Sequence, residues 1–134
     1  MNSIDFSAIY RNPRIPAGYY IVKVMDVIEE STGDEHPRVQ VRLKIYDEKV
    51  RGTELVSILH STEKCQYHHK NFITTFRIDA PHRFAIGKWG CIEVKDAEYN
   101  GTEYSSVKYI CQKPHVKKKF IALEIKDEKG EVEW

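Results

Sequence analysis

The sequence has few cysteines, no long apolar run and almost no net charge, and each shortage excludes a class of protein. Its three cysteines are an odd number at scattered spacings, which argues against a disulfide framework and for reduced thiols. No stretch approaches the roughly 18 apolar residues of a membrane span, and the start lacks a basic segment followed by an apolar one. We therefore expect a cytoplasmic protein without a membrane partner.

The charge balance and the missing catalytic motifs exclude further functional classes. A formal net charge of +1 means that any nucleic-acid surface must come from local segregation of charge. The length of 134 residues, with 41% hydrophobic and 31% charged residues, is ordinary for a single globular domain. There is no phosphate-cradling glycine loop, no nucleophile elbow and no pair of carboxylates in an apolar setting. We predict no enzymatic activity and no cofactor.

The clearest pattern that is present is a β-hairpin closed by Asn100-Gly101. Asn-Gly is the preferred type I′ turn because both central residues take positive φ, and a two-residue loop fixes the register of its strands. The predicted pairs are Tyr99 with Thr102, Ala97 with Tyr104, Val94 with Val107, Glu93 with Lys108 and Ile92 with Tyr109. The apolar pairs Val94–Val107 and Ile92–Tyr109 then share one face of the hairpin, and the opposite-charge pair Glu93–Lys108 lies on the other.

Alternating polarity predicts three strands before the hairpin. They run from Gly18 to about Ile28, from Arg38 to Tyr46 and from Glu54 to Leu59. A helix over residues 62–77, with Ser61 as its N-cap, follows from apolar residues at helical spacing. The order of three strands, one helix and two strands is that of the OB-fold, a five-stranded partly open Greek-key barrel.

This order divides the chain into three regions. Residues 1–17, with two prolines, form an irregular lead-in. Residues 18–112 form the mainly β OB-fold domain, with one helix between the third and fourth strands. Residues 113–134 are basic, then apolar, then acidic. The last region is interpreted as an amphipathic closing segment with a solvated tip. Two alternatives stay open. Its basic run could extend a track of phosphate contacts, and its acidic end could bind a partner protein or compete with DNA.

Several short motifs resemble a family of single-stranded-DNA-binding-type proteins carried by bacteriophages and mobile elements. These motifs are Asp5-Phe6-Ser7, Ile15-Pro16-Ala17-Gly18-Tyr19-Tyr20, Gly52, Gly87-Lys88 and Tyr99-Asn100-Gly101. The resemblance implies an OB-type fold and a role in the replication or recombination of phage-like DNA.

Basic and aromatic residues occur where an OB-fold usually binds oligonucleotides, on the outer face of its second and third strands. Cations that follow the phosphates and rings that stack on bases hold single strands. The candidate binding residues are Arg38, Arg42, Lys44, Tyr46, Trp89, Tyr99, Tyr104 and Lys108. An ordinary half-exposed antiparallel strand would present a similar polar face, so that interpretation stays open. Lys108 is the weaker candidate because Glu93 opposes it.

A metal site is the next alternative, since Cys65, His68 and His69 lie close together with His60 nearby. A structural zinc ion needs four ligands, and no second Cys or His pair completes the set. We predict no metal ion. The leading hypothesis is a largely sequence-nonspecific single-stranded DNA-binding protein, and the alternative is a non-catalytic protein-interaction barrel. Such a barrel would form a homo-oligomer or recruit a replication or recombination protein through its C-terminal segment.

Overall fold

The computed structural model describes residues 4–31, 33, 37–62, 65–79, 81–110 and 114–134, and for residues 114–116 the backbone alone. Its main feature is one antiparallel sheet of five strands that curls into a half-barrel. The strands are β1 (Gly18–Glu30), β2 (Arg38–Tyr46), β3 (Glu54–Leu59), β4 (Trp89–Tyr99) and β5 (Thr102–Tyr109), in the spatial order β3-β2-β1-β4-β5. Two helices accompany the sheet, α1 (Gln66–Phe76) and α2 (Pro114–Glu128). Neither described helix is long and apolar enough to cross a membrane.

The length of β1 produces the curl, because this strand is shared by both halves of the sheet. It pairs with β4 over Gly18–Lys23 and with β2 over Ile21–Glu30. Its register against β2 shifts between Val24 and Asp26. Such a bulge bends a strand and increases its twist, so the two halves of the sheet fold toward each other.

The concave face of the half-barrel holds the core. Most of its fully buried apolar side chains come from alternate strand positions and from α1, among them Val22, Val24, Val39, Val41, Leu43, Ile45, Leu55, Phe72, Phe76, Ile92 and Val94. Alternation with period two places the remaining residues of each strand on the outer face. The buried set therefore defines which side chains of β2 remain for binding.

The structure confirms the predicted hairpin register at every pair. Asn100 and Gly101 take φ values of 50° and 80°, the left-handed conformation that a type I′ turn requires. The bounds of β2 and β3 also agree with the alternation. The predicted N-cap at Ser61 is wrong, because α1 begins at Gln66, although the helix does end within one residue of the predicted position.

Two short elements and one long helix were not predicted from the sequence. Single turns of 3-10 helix form at Ala8–Arg11 and at His82–Ala85. The C-terminal segment forms α2, which buries Phe120 completely. Residues 129–134, named here the tail, continue from α2 without further secondary structure. The first residue of the basic run, Lys113, lies outside the described residues.

Candidate nucleic-acid interface

The outer face of β2 carries the predicted cations, and their surroundings differ along the strand. Arg38 forms an ion pair with Glu30 on the neighbouring β1, and its guanidinium lies 5.4 Å from the centre of the Phe6 ring. The N-terminal segment also reaches this end of the strand, where the Asp5 N–H donates to the Gln40 side chain at 3.0 Å. Arg38 is thus held within the protein's own contacts.

Arg42, in the middle of β2, is the most accessible of these cations. Its side chain is 49% exposed, and its nearest carboxylate, that of Glu54, lies 3.7 Å away. An exposed ion pair at this separation contributes little to stability. The guanidinium of Arg42 therefore stays available for a phosphate group.

Lys44 and Tyr46, at the far end of β2, contact the tail. The Lys44 ammonium lies 4.5 Å from the centre of the Trp134 ring. Trp134 stacks on Trp89 with 5.2 Å between ring centres, and Tyr46 meets both tryptophans edge-on at 5.7 Å. Tyr46, Trp89 and Trp134 are named here the aromatic cluster. The structure thus brings Lys44, Tyr46 and Trp89 together and places the last residue of the chain over them.

Trp89 is fully buried within this cluster, while Trp134 is 37% exposed. The Trp89 indole N–H donates to Asp127 at 3.1 Å, and the Lys23 ammonium lies 2.5 Å from the same carboxylate. Burial raises the pKa of Asp127, but Lys23 and Trp89 outweigh burial and leave this pKa below its ordinary value. Asp127 therefore supplies a fixed negative charge next to the aromatic cluster.

Tyr99 and Tyr104, at the hairpin tip, form a separate group with Tyr10. The Tyr10 ring stacks on Tyr99 at 5.4 Å and meets Tyr104 edge-on at 5.1 Å. Tyr99 remains 57% exposed. Burial, followed by the influence of Tyr10, raises the pKa of Tyr104, so its hydroxyl stays protonated at neutral pH. The tip thus offers an exposed ring supported from below by a second ring.

Two acidic residues near this tip form ion pairs with Arg14, a residue that was not predicted from the sequence. Arg14 donates to Glu103 and to Asp96, each at 2.9 Å. Lys108 stands opposite Glu93, as predicted, but the ion pair of Glu93 is with Lys95 at 3.8 Å. Lys108 is exposed and makes no ion pair with a described residue. Lys108 is therefore more available for a phosphate group than its position opposite Glu93 indicates.

Of the histidines considered for a metal site, His69 takes part in a buried hydrogen-bond chain with the His82 ring and the backbone carbonyl of His60. His69 is fully buried, with one ring nitrogen 2.7 Å from the His60 carbonyl oxygen and the other 2.9 Å from a ring nitrogen of His82. The described residues contain no group of three or more His, Cys, Asp or Glu side chains placed to hold a metal ion. His82 lies 13 positions from His69 and has no sequence signal that connects them.

Besides Arg14, three further residues of this interface, Lys23, Asp127 and Tyr10, were not predicted from the sequence. Lys23 lies in an apolar strand and Asp127 in a charged segment more than 100 positions away, so no sequence pattern connects them, and their pairing depends on how α2 packs. Tyr10 lies in the lead-in, where no periodic pattern predicts a neighbour.

No protein-family model matches this chain, and no curated protein matches its sequence.

Proposed function

We propose that this chain is an OB-fold protein that binds single-stranded DNA with little sequence preference and serves the replication or recombination of phage-like DNA. The order of elements supports the OB-fold, since α1 lies between β3 and β4. The sheet order supports it as well, because β3 and β5 are the two edges, and Asn12 hydrogen-bonds to both of them. In this fold the outer face of the second and third strands is the usual oligonucleotide site.

The observation that carries the proposal is how the C-terminus occupies this face. The Trp134 ring contacts both the Lys44 ammonium and the Trp89 ring. Nearby, Lys23 and the Trp89 indole hold the Asp127 carboxylate. A nucleotide makes similar contacts, since its base stacks on an aromatic ring and its phosphate accepts hydrogen bonds from cations and N–H donors. We infer that a nucleotide and the tail compete for the same contacts.

The adjacent cations extend this site along the sheet. Arg42 lies two positions from Lys44 on the same face of β2, and Tyr99 and Lys108 lie on the β4–β5 hairpin of the same sheet. Because these groups recognise phosphates and ring faces, which all sequences share, the expected binding has little base preference over most of its length.

The experiment is a fluorescence-anisotropy titration of labelled oligo-dT at two salt concentrations. The double variant Arg42→Ala/Lys44→Ala should bind about tenfold more weakly, because two phosphate contacts are lost. The slope of log affinity against log salt should become less steep by about 1.4, since each single-strand phosphate contact contributes about 0.7. Thermal unfolding should stay nearly unchanged.

The matched control is Lys70→Ala/Lys126→Ala, which removes two exposed charges from α1 and α2, outside the basic run, and leaves the sheet face intact. Its affinity should equal that of the wild type. Equal weakening in both double variants would show that net charge, not this face, controls binding. Absence of wild-type binding at low salt would refute the proposed function.

A second candidate function is a protein-interaction barrel that forms an oligomer or recruits a replication factor. Phe84 and Ile86 favour it, because these neighbouring side chains are 56% and 48% exposed. An oligomer in light scattering, together with no oligo-dT binding in the titration, would make this candidate the better account.

A further inference from the structure

A groove opens between the two edge strands of the half-barrel, away from the aromatic cluster. Its volume is about 160 Å³, and its lining includes Val56, Ser57, Ile58, His68, Val107 and Tyr109. A protein cavity of about 150 Å³ holds one benzene molecule. The groove therefore has room for one six-membered ring, whereas a two-ring purine is larger.

Asn12 shows what kind of group the two edges recognise. Its side-chain oxygen accepts from the Val56 N–H at 2.8 Å, and its side-chain nitrogen donates to the carbonyls of Val56 and Ser105 at 2.9 and 3.1 Å. The partner of the edges is thus a planar amide with a C=O and an N–H side by side. The Watson–Crick edge of a pyrimidine base presents C=O and N–H groups in the same way.

The next position along each edge offers the same groups, and no described residue is recorded as their partner. The N–H and C=O of a residue in an antiparallel pair either both bond to the neighbouring strand or both face away from it, in alternation. Because Val56 and Ser105 face Asn12, the residues two positions on, Ile58 and Val107, face the groove. Neither backbone forms a turn or loop hydrogen bond within the part of the chain that the structure describes.

The Tyr109 hydroxyl adds a buried side-chain donor. Tyr109 is 3% exposed, and among the described residues its hydroxyl makes no hydrogen bond of normal geometry. Burial raises the pKa of Tyr109 far above its ordinary value, and the nearby Ser57 only partly opposes this, so the hydroxyl keeps its proton. A buried polar group without a partner destabilises a protein by about 1–3 kcal/mol, which a bound acceptor would relieve.

We propose that this groove binds one pyrimidine base of the single strand, held by the backbones of Ile58 and Val107 and by the Tyr109 hydroxyl. The inference rests on the proposed function, because the strand that supplies the base lies on the neighbouring cations. Arg42 is paired with Val56 on the adjacent strand, and Lys108 follows Val107. Binding is thus tolerant of sequence along the sheet and selective at one position.

The first test uses thymidine alone, which carries no phosphate, as an NMR titrant against the full chain. The amide signals of Ile58 and Val107 should shift with thymidine and stay in place with adenosine. Shifts confined to the aromatic cluster, or none with thymidine, would overturn the inference. This result does not depend on oligonucleotide affinity, so it separates failure of the groove from failure of the proposed function.

The second test compares oligo-dT with oligo-dA in the wild type and in Tyr109→Phe. Removing one hydroxyl while keeping its ring should lower the dT-to-dA affinity ratio about threefold, the effect of one net hydrogen bond. Tyr67→Phe, which removes an exposed hydroxyl from α1, is the control and should keep the ratio. An unchanged ratio in Tyr109→Phe would contradict the inference, while Arg42→Ala/Lys44→Ala still reports on the proposed function. If Tyr109→Phe does not fold, the wild-type thymidine titration decides.

Discussion

The two ends of the chain both pack against the sheet, but they use different chemistry. Asn12, near the N-terminus, is 8% exposed and bonds to the backbones of both edge strands. Trp134, at the C-terminus, is 37% exposed and contacts the side chains of Lys44, Tyr46 and Trp89. The first contact satisfies part-buried backbone groups of Val56 and the buried carbonyl of Ser105, whereas we expect that another planar ring can replace the second.

The helix that precedes the tail resembles the N-terminal segment in this respect. In α2, Phe120 is fully buried. Glu124 accepts hydrogen bonds from the Arg77 side chain at 2.5 Å and from the backbone N–H of Trp89 at 2.9 Å. The transition from a fixed to a replaceable contact therefore lies after α2. The tail is the only part of the described C-terminal region that we expect ligands to displace.

The largest expected effect is on the fixed contact. Asn12→Ala leaves the Val56 N–H and two carbonyls without their partner, so the free energy of unfolding should fall by about 1–3 kcal/mol. Urea denaturation followed by circular dichroism measures this. Arg14→Ala is the control from the same segment, since it removes exposed ion pairs and should change stability little. Equal urea midpoints for the wild type and Asn12→Ala would mean that the N-terminal segment does not stabilise the seam, the junction between the edge strands β3 and β5.

An intermediate effect is expected at the replaceable contact. Trp134→Ala should lower the free energy of unfolding by about 1 kcal/mol or less, the contribution of one exposed stacked and cation-contacting ring. If the tail competes with DNA, the same change should raise the affinity for oligo-dT by up to about fivefold, since about 1.4 kcal/mol corresponds to a factor of ten. Trp134→Phe should have an affinity for oligo-dT between those of the wild type and Trp134→Ala. A weaker affinity in Trp134→Ala would show that Trp134 assists binding rather than opposing it.

The smallest effect concerns the charge that helps to hold the C-terminal region. The pKa of Asp127 is lowered below its ordinary value of 3.8. The carboxylate therefore contributes stability in full above that value, and the contribution is lost as pH falls through the lowered folded-state pKa. Tryptophan fluorescence should stay constant from about pH 7 to pH 5 and change below 3.8, with a smaller acid-dependent change in Asp127→Asn. Identical acid titrations for the two proteins would remove Asp127 from this role.

The hairpin and the outer face of β2 could be predicted because their signals are local. A two-residue Asn-Gly turn leaves one register, and the alternation of Val39, Val41 and Leu43 with polar residues leaves one core face. The N-terminal bridge could not be predicted in this way. Asn12 lies 44 positions from Val56 and 93 from Ser105, and a single asparagine in an irregular segment carries no periodic signal.

The C-terminal region shows the same limit. Its lysines and acidic residues with interspersed apolar residues indicated an amphipathic segment. They did not indicate where on the sheet the ring of Trp134 would lie. The position of Trp134 depends on how α2 packs against β4, which involves Phe120, Glu124 and Asp127 together. The cations predicted on the outer face of β2 therefore differ in accessibility, with Arg42 accessible and Lys44 in contact with the tail.

The sequence by itself determined the strands, the hairpin register and the face on which the basic residues stand, because period-two alternation and turn geometry act over a few neighbouring residues. Only the tertiary structure decided how the seam between β3 and β5 is bridged and which cations the chain covers with its own C-terminus. Those contacts join residues far apart in the chain, and their free energy depends on the position of the whole sheet.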